Sequence, residues 1–333
     1  MAGEAPPAYE GPRYAPGKYG GTLPVGYTGL SANQYCAYFL RSDGVVDRTV
    51  GSGAIQVQME AEGANTYVQV SACQHASYLL RSDGVIMRTT GSGKVSHPGD
   101  ERRPPPGQKY TAVSAGWHAS YFVRSDGVVD RATRGGHVTS QLQPAKFPEV
   151  RYTAASSGFN SSFLLRSDGA VDVVSGGNVT GTMETPTRYV ALADQTVNSS
   201  DKSTYGNSWM YLLRGDGGAD RLKVCPSTSS VTEVRPPIGH RYLAAACGIS
   251  CSYLIASDGS VDRIKSGKVT TRYERPSSGP AYGYVAGTCG GTSSYLLRND
   301  GMVDRLGLGG RIGTEMTPPA LCDVVDGRSC SIM

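Results

Sequence analysis

The side chains able to move a proton, attack a carbonyl or hold a metal are spread thinly through this 333-residue chain. There are 5 His, 8 Cys and 28 Asp plus Glu. No GxSxG, HExxH, phosphate-cradling P-loop or GxGxxG fingerprint places any of them in a catalytic setting. Cys247 and Cys251 stand four apart, but no second Cys or His pair follows at zinc spacing. No metal and no cofactor is therefore expected, and the chain is expected not to be an enzyme. The stretch Met1–Gly21 lacks the basic-then-apolar order of a secretory leader. The cysteines accordingly read as free thiols, with an intracellular, cytoplasmic setting expected. A net charge of +4 gives no basis for nucleic-acid binding, and no apolar run is long enough for a membrane span.

What recurs instead is a short charged phrase. YFLRSDGVVDR begins at Tyr38, YLLRSDGVIMR at Tyr78, YFVRSDGVVDR at Tyr121 and FLLRSDGAVDV at Phe163; YLLRGDGGADR, YLIASDGSVDR and YLLRNDGMVDR follow at Tyr211, Tyr253 and Tyr295. The turn aspartates stand at 43, 83, 126, 168, 216, 258 and 300, so the period is 40 to 48 residues. Asp-Gly between two apolar runs is a hairpin signal, and a two-residue type I′ loop is the expected turn. An apolar run precedes each hairpin (YVQVSA, YTAVSA, YLAAAC), and a Gly turn with a short strand follows (GSGKVSH, SGKVTTR). Four short antiparallel strands per unit make a propeller blade. The expectation is an all-β, seven-bladed β-propeller of four-stranded antiparallel blades over residues 26–316. A Pro-, Gly- and Tyr-rich arm (1–25) would precede it and a tail (317–333) follow it.

The stretch VSAGWHASYFVRSDGVV (Val113 to Val129) resembles the regulator-of-chromosome-condensation repeat. That family is built of seven-bladed propellers and includes chromatin-bound nucleotide exchange factors, plant photoreceptors and a bacterial β-lactamase inhibitor. The resemblance spans all seven units. It implies the propeller fold, and by analogy it offers guanine-nucleotide exchange on a small GTPase as an alternative function.

Residues repeated in every unit are expected to be architectural. With a two-residue loop, Leu40 faces Asp47 and Phe39 faces Arg48, which puts Asp47 and Arg41 on opposite faces of the blade. Stacked blades would then pair the Asp of one with the Arg of the next. The expected inter-blade ladder runs through Asp47, Arg48, Asp130, Arg131, Asp220, Arg221, Asp262, Arg263, Asp304 and Arg305. Met87 and Val173 interrupt it. Residues that differ between units are the candidates for function. Eight or nine positions before the turn Asp, the loops carry Tyr35, Gln74, His75, Trp117, His118, Phe159 and Asn160, and the longer loop of unit five carries Tyr205. Aromatic and imidazole side chains grouped on one face suit a protein partner, since buried aromatics anchor interfaces. In the resembled β-lactamase inhibitor, this loop region contacts the partner. The leading expectation is a non-catalytic protein-interaction scaffold; besides nucleotide exchange, a carbohydrate- or small-ligand-binding propeller is the alternative.

Overall fold

A computed structural model describes residues 25–50, 54–89, 101–133, 136–158, 161–195, 209–223, 231–248, 251–274, 282–291, 293–307, 310–316 and 318. The expected arm and tail, and with them Phe159, Asn160 and Tyr205, lie outside the described residues except at the margins of the arm and tail. Seven sheets follow one another along the chain, each with four antiparallel strands, and the short strand Asp194–Gln195 adds a parallel edge to the sixth. Blade one is typical, with strands Tyr27–Ala32, Cys36–Arg41, Val46–Val50 and Ile55–Met59 in spatial order. The first strands of the remaining blades begin at Tyr67, Tyr110, Tyr152, Tyr189, Tyr242 and Tyr284. First strands of neighbouring blades meet each other, whereas fourth strands such as Asn178–Met183 and Lys268–Tyr273 are largely exposed. The protein is a seven-bladed β-propeller, with first strands inside and fourth strands on the rim. No helix among the described residues is long and apolar enough to cross a membrane.

The hairpin between second and third strands is not the two-residue turn expected. In blade one, the Gly44 N–H donates to Arg41 O at 3.0 Å and the Arg41 N–H to Val45 O at 2.8 Å. Gly44 has φ of 82° and Asp43 is not among the positive-φ residues. This is a three-residue loop, a type I turn closed by a left-handed glycine. Two-residue loops with positive φ at both positions occur in the next hairpin out instead, at Gly176-Gly177 and Ser266-Gly267.

One extra loop residue shifts the register by one and exchanges the faces. Phe39 pairs with Asp47 and Tyr38 with Arg48. Asp47 therefore lies on the same face as Arg41, and the expected inter-blade ladder is replaced by a network inside each blade. Arg41 Nε donates to Asp43 Oδ1 at 3.1 Å, and Nη1 lies 3.8 Å from Asp47 Oδ1. The Tyr27 hydroxyl donates to the other oxygen of Asp47 at 3.0 Å. Tyr110, Tyr152, Tyr189, Tyr242 and Tyr284 do the same for Asp130, Asp172, Asp220, Asp262 and Asp304 at 2.6–2.8 Å. Arg124, Arg166, Arg214 and Arg298 take the place of Arg41, 3.0–3.6 Å from the strand-three carboxylate of their own blade.

The two blades lacking a member repair the network from the fourth strand. Blade two has Met87 instead of Asp, and the facing Glu101 accepts from Arg81 at 3.3 Å. Blade six has Ala256 instead of Arg, and the facing Arg272 lies 3.8 Å from Asp262. Charges this deeply buried need a partner, and the blade supplies one from whichever strand can reach.

The arginines of Val-Asp-Arg point to the opposite face, where each is paired in register with an aromatic residue. Tyr38, Tyr78, Tyr121, Tyr211, Tyr253 and Tyr295 face Arg48, Arg88, Arg131, Arg221, Arg263 and Arg305. Blade four has lost both partners together, with Phe163 facing Val173. These arginines do approach the following blade, but what they meet is a turn glycine: Arg131 at Gly177, Arg221 at Gly267 and Arg263 at Gly310.

Blades are joined by a second use of the hairpin glycine. Its carbonyl accepts from the N–H of the tyrosine that opens the next blade, as in Gly44 to Tyr67 (3.0 Å) and Gly127 to Tyr152 (3.0 Å). Gly301 accepts from Tyr27 at 2.7 Å and closes the ring. A β-carbon at Gly301 would lie 2.7 Å from Gly26 Cα, so close approach and positive φ both require glycine. A core of Tyr27, Phe39, Tyr295, Leu297 and Met316 packs the same seam. All four strands of blade seven, Tyr284–Cys289 to Ile312–Met316, come from the last repeat, so no strand is exchanged at closure.

Two outcomes follow for stability. Asp130→Asn and Glu101→Gln should each cost about 1.5–3 kcal/mol in urea unfolding, because each removes one of the two carboxylates that hold a buried arginine and leaves it only its turn aspartate, Asp126 or Asp83. Tyr110→Phe should cost about 1.5–3 kcal/mol for one hydrogen bond to a charged group; losses below about 0.5 kcal/mol for all three would mean the network is not buried. The pH dependence has two limbs. Burial and the adjacent carboxylate hold the phenols of Tyr27, Tyr110, Tyr152, Tyr189, Tyr242 and Tyr284 far above the ordinary tyrosine range. A proton held more tightly in the fold stabilises fully below about pH 10, and that contribution is lost as pH rises beyond it. For the turn carboxylates Asp83, Asp168 and Asp216, burial alone would raise the pKa. Hydrogen bonds from Arg81, Arg166 and Arg214 and from backbone N–H groups outweigh it and hold them below the usual range. Their contribution is present above about pH 4 and is lost as pH falls. The urea midpoint should therefore fall above about pH 10, and it should fall toward acid as the turn carboxylates protonate, a limb opposed by Asp47, whose carboxyl burial holds above the usual range; a midpoint unchanged at about pH 11 would contradict the alkaline limb.

Candidate interaction site

The loops between first and second strands lie on the opposite face of the ring from the Asp-Gly turns, because successive strands run antiparallel. Their bends are built tightly. In blade one, Asn33 Oδ1 accepts from the N–H groups of Tyr35 (2.8 Å) and Cys36 (3.0 Å), while its Nδ2 donates to Cys73 O in blade two at 3.0 Å. This asparagine turns the chain and ties it to the neighbouring blade, leaving Tyr35 projecting with 57% of its surface exposed.

From Tyr35 a row of side chains runs across three blades. Gln74 Nε2 of blade two donates to the Tyr35 hydroxyl at 3.0 Å. Beside it the His75 ring meets Trp117 of blade three, centroids 4.4 Å apart and planes at 63°, an edge-to-face contact. Gln74, His75 and Trp117 are half-buried, and His118 is exposed. Of the expected site residues, the structure thus brings Tyr35, Gln74, His75 and Trp117 together and sets His118 next in line. Phe159, Asn160 and Tyr205 lie outside the described residues.

Beyond His118, a cavity of about 400 Å³ opens between blades three and four. Ala119, Tyr121, Arg131, Gly158, Ser162 and the Ser175–Gly177 turn line it along with His118. Arg131 belonged to the expected structural ladder, and its place in a cavity wall is a further departure from that expectation. Among the described residues no group of three or more His, Cys, Asp or Glu is placed to hold a metal.

The comparisons with known proteins speak to the fold. No protein-family model matches the sequence, and no curated protein matches it. Solved structures do match. The β-propeller domain of Cps50 (Swd1) from Myceliophteria thermophila superposes with a TM-score of 0.61 at 9% identity, covering 86% of this chain and 94% of that one. Human WBSCR16 gives 0.56 at 12% identity over 78% and 84%. YCF48 from Cyanidioschyzon merolae gives 0.56 at 16% identity over 84% and 95%. At these identities the likeness is one of architecture, and architecture does not carry function.

The row across blades two and three is testable by itself. A double-mutant cycle between His75→Ala and Trp117→Ala, read by urea unfolding, should give a coupling of about 0.5–1.5 kcal/mol. Strict additivity of the two losses would show that the rings do not depend on each other.

Proposed function

We propose that the chain is a non-catalytic protein-interaction scaffold, which holds another protein on the face formed by its first-to-second-strand loops. The observation that carries this reading is the continuous row Tyr35, Gln74, His75 and Trp117. Three blades contribute to it, and its aromatic groups are held in place from below while remaining open to solvent. Rigid, amphipathic rings of this kind lose little entropy on binding and serve as anchors. The closed ring beneath supports them without exposed sheet edges at the seam. In this reading the chain is a divergent relative of the regulator-of-chromosome-condensation propellers. It works in the cytoplasm, where thiols such as Cys36 and Cys251 stay reduced.

The test is affinity capture from native lysate with the wild-type chain beside a Tyr35→Ala/Trp117→Ala variant of matched thermal midpoint, bound proteins being identified by mass. A partner held by the wild type and weakened at least tenfold in the variant, then reproduced with purified components, is the expected result. Two anchor residues at about 2 kcal/mol each would produce a loss of that size or more. Identical partner lists from the two proteins would remove this face from consideration.

A further inference from the structure

Seven positions before each turn aspartate stand Cys36, Ala76, Ala119, Ser161, Trp209, Cys251 and Ser293. At this position a side chain can engage the Val-Asp-Arg arginine of the same blade. The Trp209 ring lies 3.2 Å from Arg221 Cζ, and Ser293 Oγ accepts from Arg305 Nε at 3.1 Å. In blade three the residue is Ala119, which offers neither a ring nor an acceptor. The cavity of about 400 Å³ sits beside it. Arg131 Nη1 donates to Thr139 Oγ1 at 3.2 Å, and its Nε is buried without a hydrogen-bond partner among the described residues, as Arg221 Nε is beside Trp209, which leaves the Nη groups as the donors a ligand could reach.

We infer that this cavity between blades three and four is a site for a small anion-bearing molecule, a carboxylate or a phosphate, received by Arg131. The volume lies within the range of small-molecule sites. A guanidinium in the cavity wall favours an acceptor anion, since charge-assisted bonds are the strongest available to it. Tyr121, Ser162, Ser175 and His118 place hydroxyl and imidazole groups around the space, and none of the residues lining it is acidic. The turn residue Gly176 leaves open space where a side chain would stand, while the Arg131 guanidinium lies against Gly177. The site stands apart from the Tyr35–Trp117 row and does not depend on a protein partner.

The probes are inorganic phosphate and succinate, titrated separately into the isotopically labelled full chain at constant ionic strength set with sodium chloride. The amide signals of Gly158, Gly176 and Gly177 are followed by NMR. Saturable shifts confined to this cluster are expected with at least one probe, and the probe that saturates identifies the anion. Arg131→Gln should weaken binding at least tenfold. Ala119→Val, whose added methyls would intrude on the cavity without removing any charge, should do the same. Lys268→Gln, an equal loss of charge on the exposed rim, should bind as the wild type does. Shifts that grow linearly without saturating for both probes would overturn the assignment, as would saturable shifts unchanged in Arg131→Gln and Ala119→Val.

Discussion

In every blade but the sixth, a second-strand arginine, buried or nearly so, has to be neutralised, and much of the architecture follows from how that is done. Arg41, with 1% of its side chain exposed, sits between the turn carboxylate of Asp43 and the fully buried carboxylate of Asp47. Asp43 is part of the hairpin and Asp47 of the third strand, while the tyrosine bonded to Asp47 opens the first strand. One guanidinium thereby fixes three strands relative to one another. The glycine that completes the same turn hands its carbonyl to the next blade. Geometry inside the blade and spacing between blades are thus set at one hairpin. The exchanges in blades two and six, where Glu101 and Arg272 restore the missing charge from the rim strand, show that the constraint falls on the charge balance and leaves the position of each charge free.

The opposite face of the blade is organised more loosely. Its aromatic–arginine pairs vary in what accompanies them: a stacked tryptophan in blade five, a hydroxyl acceptor in blade seven, an open cavity in blade three. Blade four dispenses with the pair altogether. Arg48, Arg221 and Arg263 are as buried as Arg81 and Arg124 of the other face, so the two faces differ in the partner, an aromatic ring in place of a carboxylate. The row from Tyr35 to Trp117 and the cavity both lie toward the loops bordering this tolerant face, so binding capacity can change without disturbing the hairpins that hold the ring.

The repeat, its period and the four-strand unit were legible in the sequence because identical phrases such as RSDGVVDR recur with turn residues at fixed offsets. The pairing of charges was not, and the reason is a single residue. Asp-Gly serves equally as the centre of a two-residue loop and as the end of a three-residue loop with left-handed glycine. The choice moves Asp47 from the face opposite Arg41 to the face it shares. The tyrosine that completes the network was visible, standing 16 residues before the turn aspartate in every blade but the fifth; only the shifted register gives it a partner. The row Tyr35, Gln74, His75 and Trp117 was legible as a set of variable loop positions, though not its pairwise contacts. Ala119 carried no signal at all, since its place in the cavity wall beside Arg131 depends on how blades three and four meet.

Blade seven is complete within its own repeat, and the ring is sealed by the same glycine-to-tyrosine bond that joins other neighbours. The unit of duplication at the genetic level and the unit of folding therefore coincide. A copied segment of about forty residues inserts as a whole blade, its hairpin already shaped to dock on the next tyrosine. Tandem gene amplification could build such a ring one finished blade at a time, with no final strand needing to evolve separately to fasten the circle.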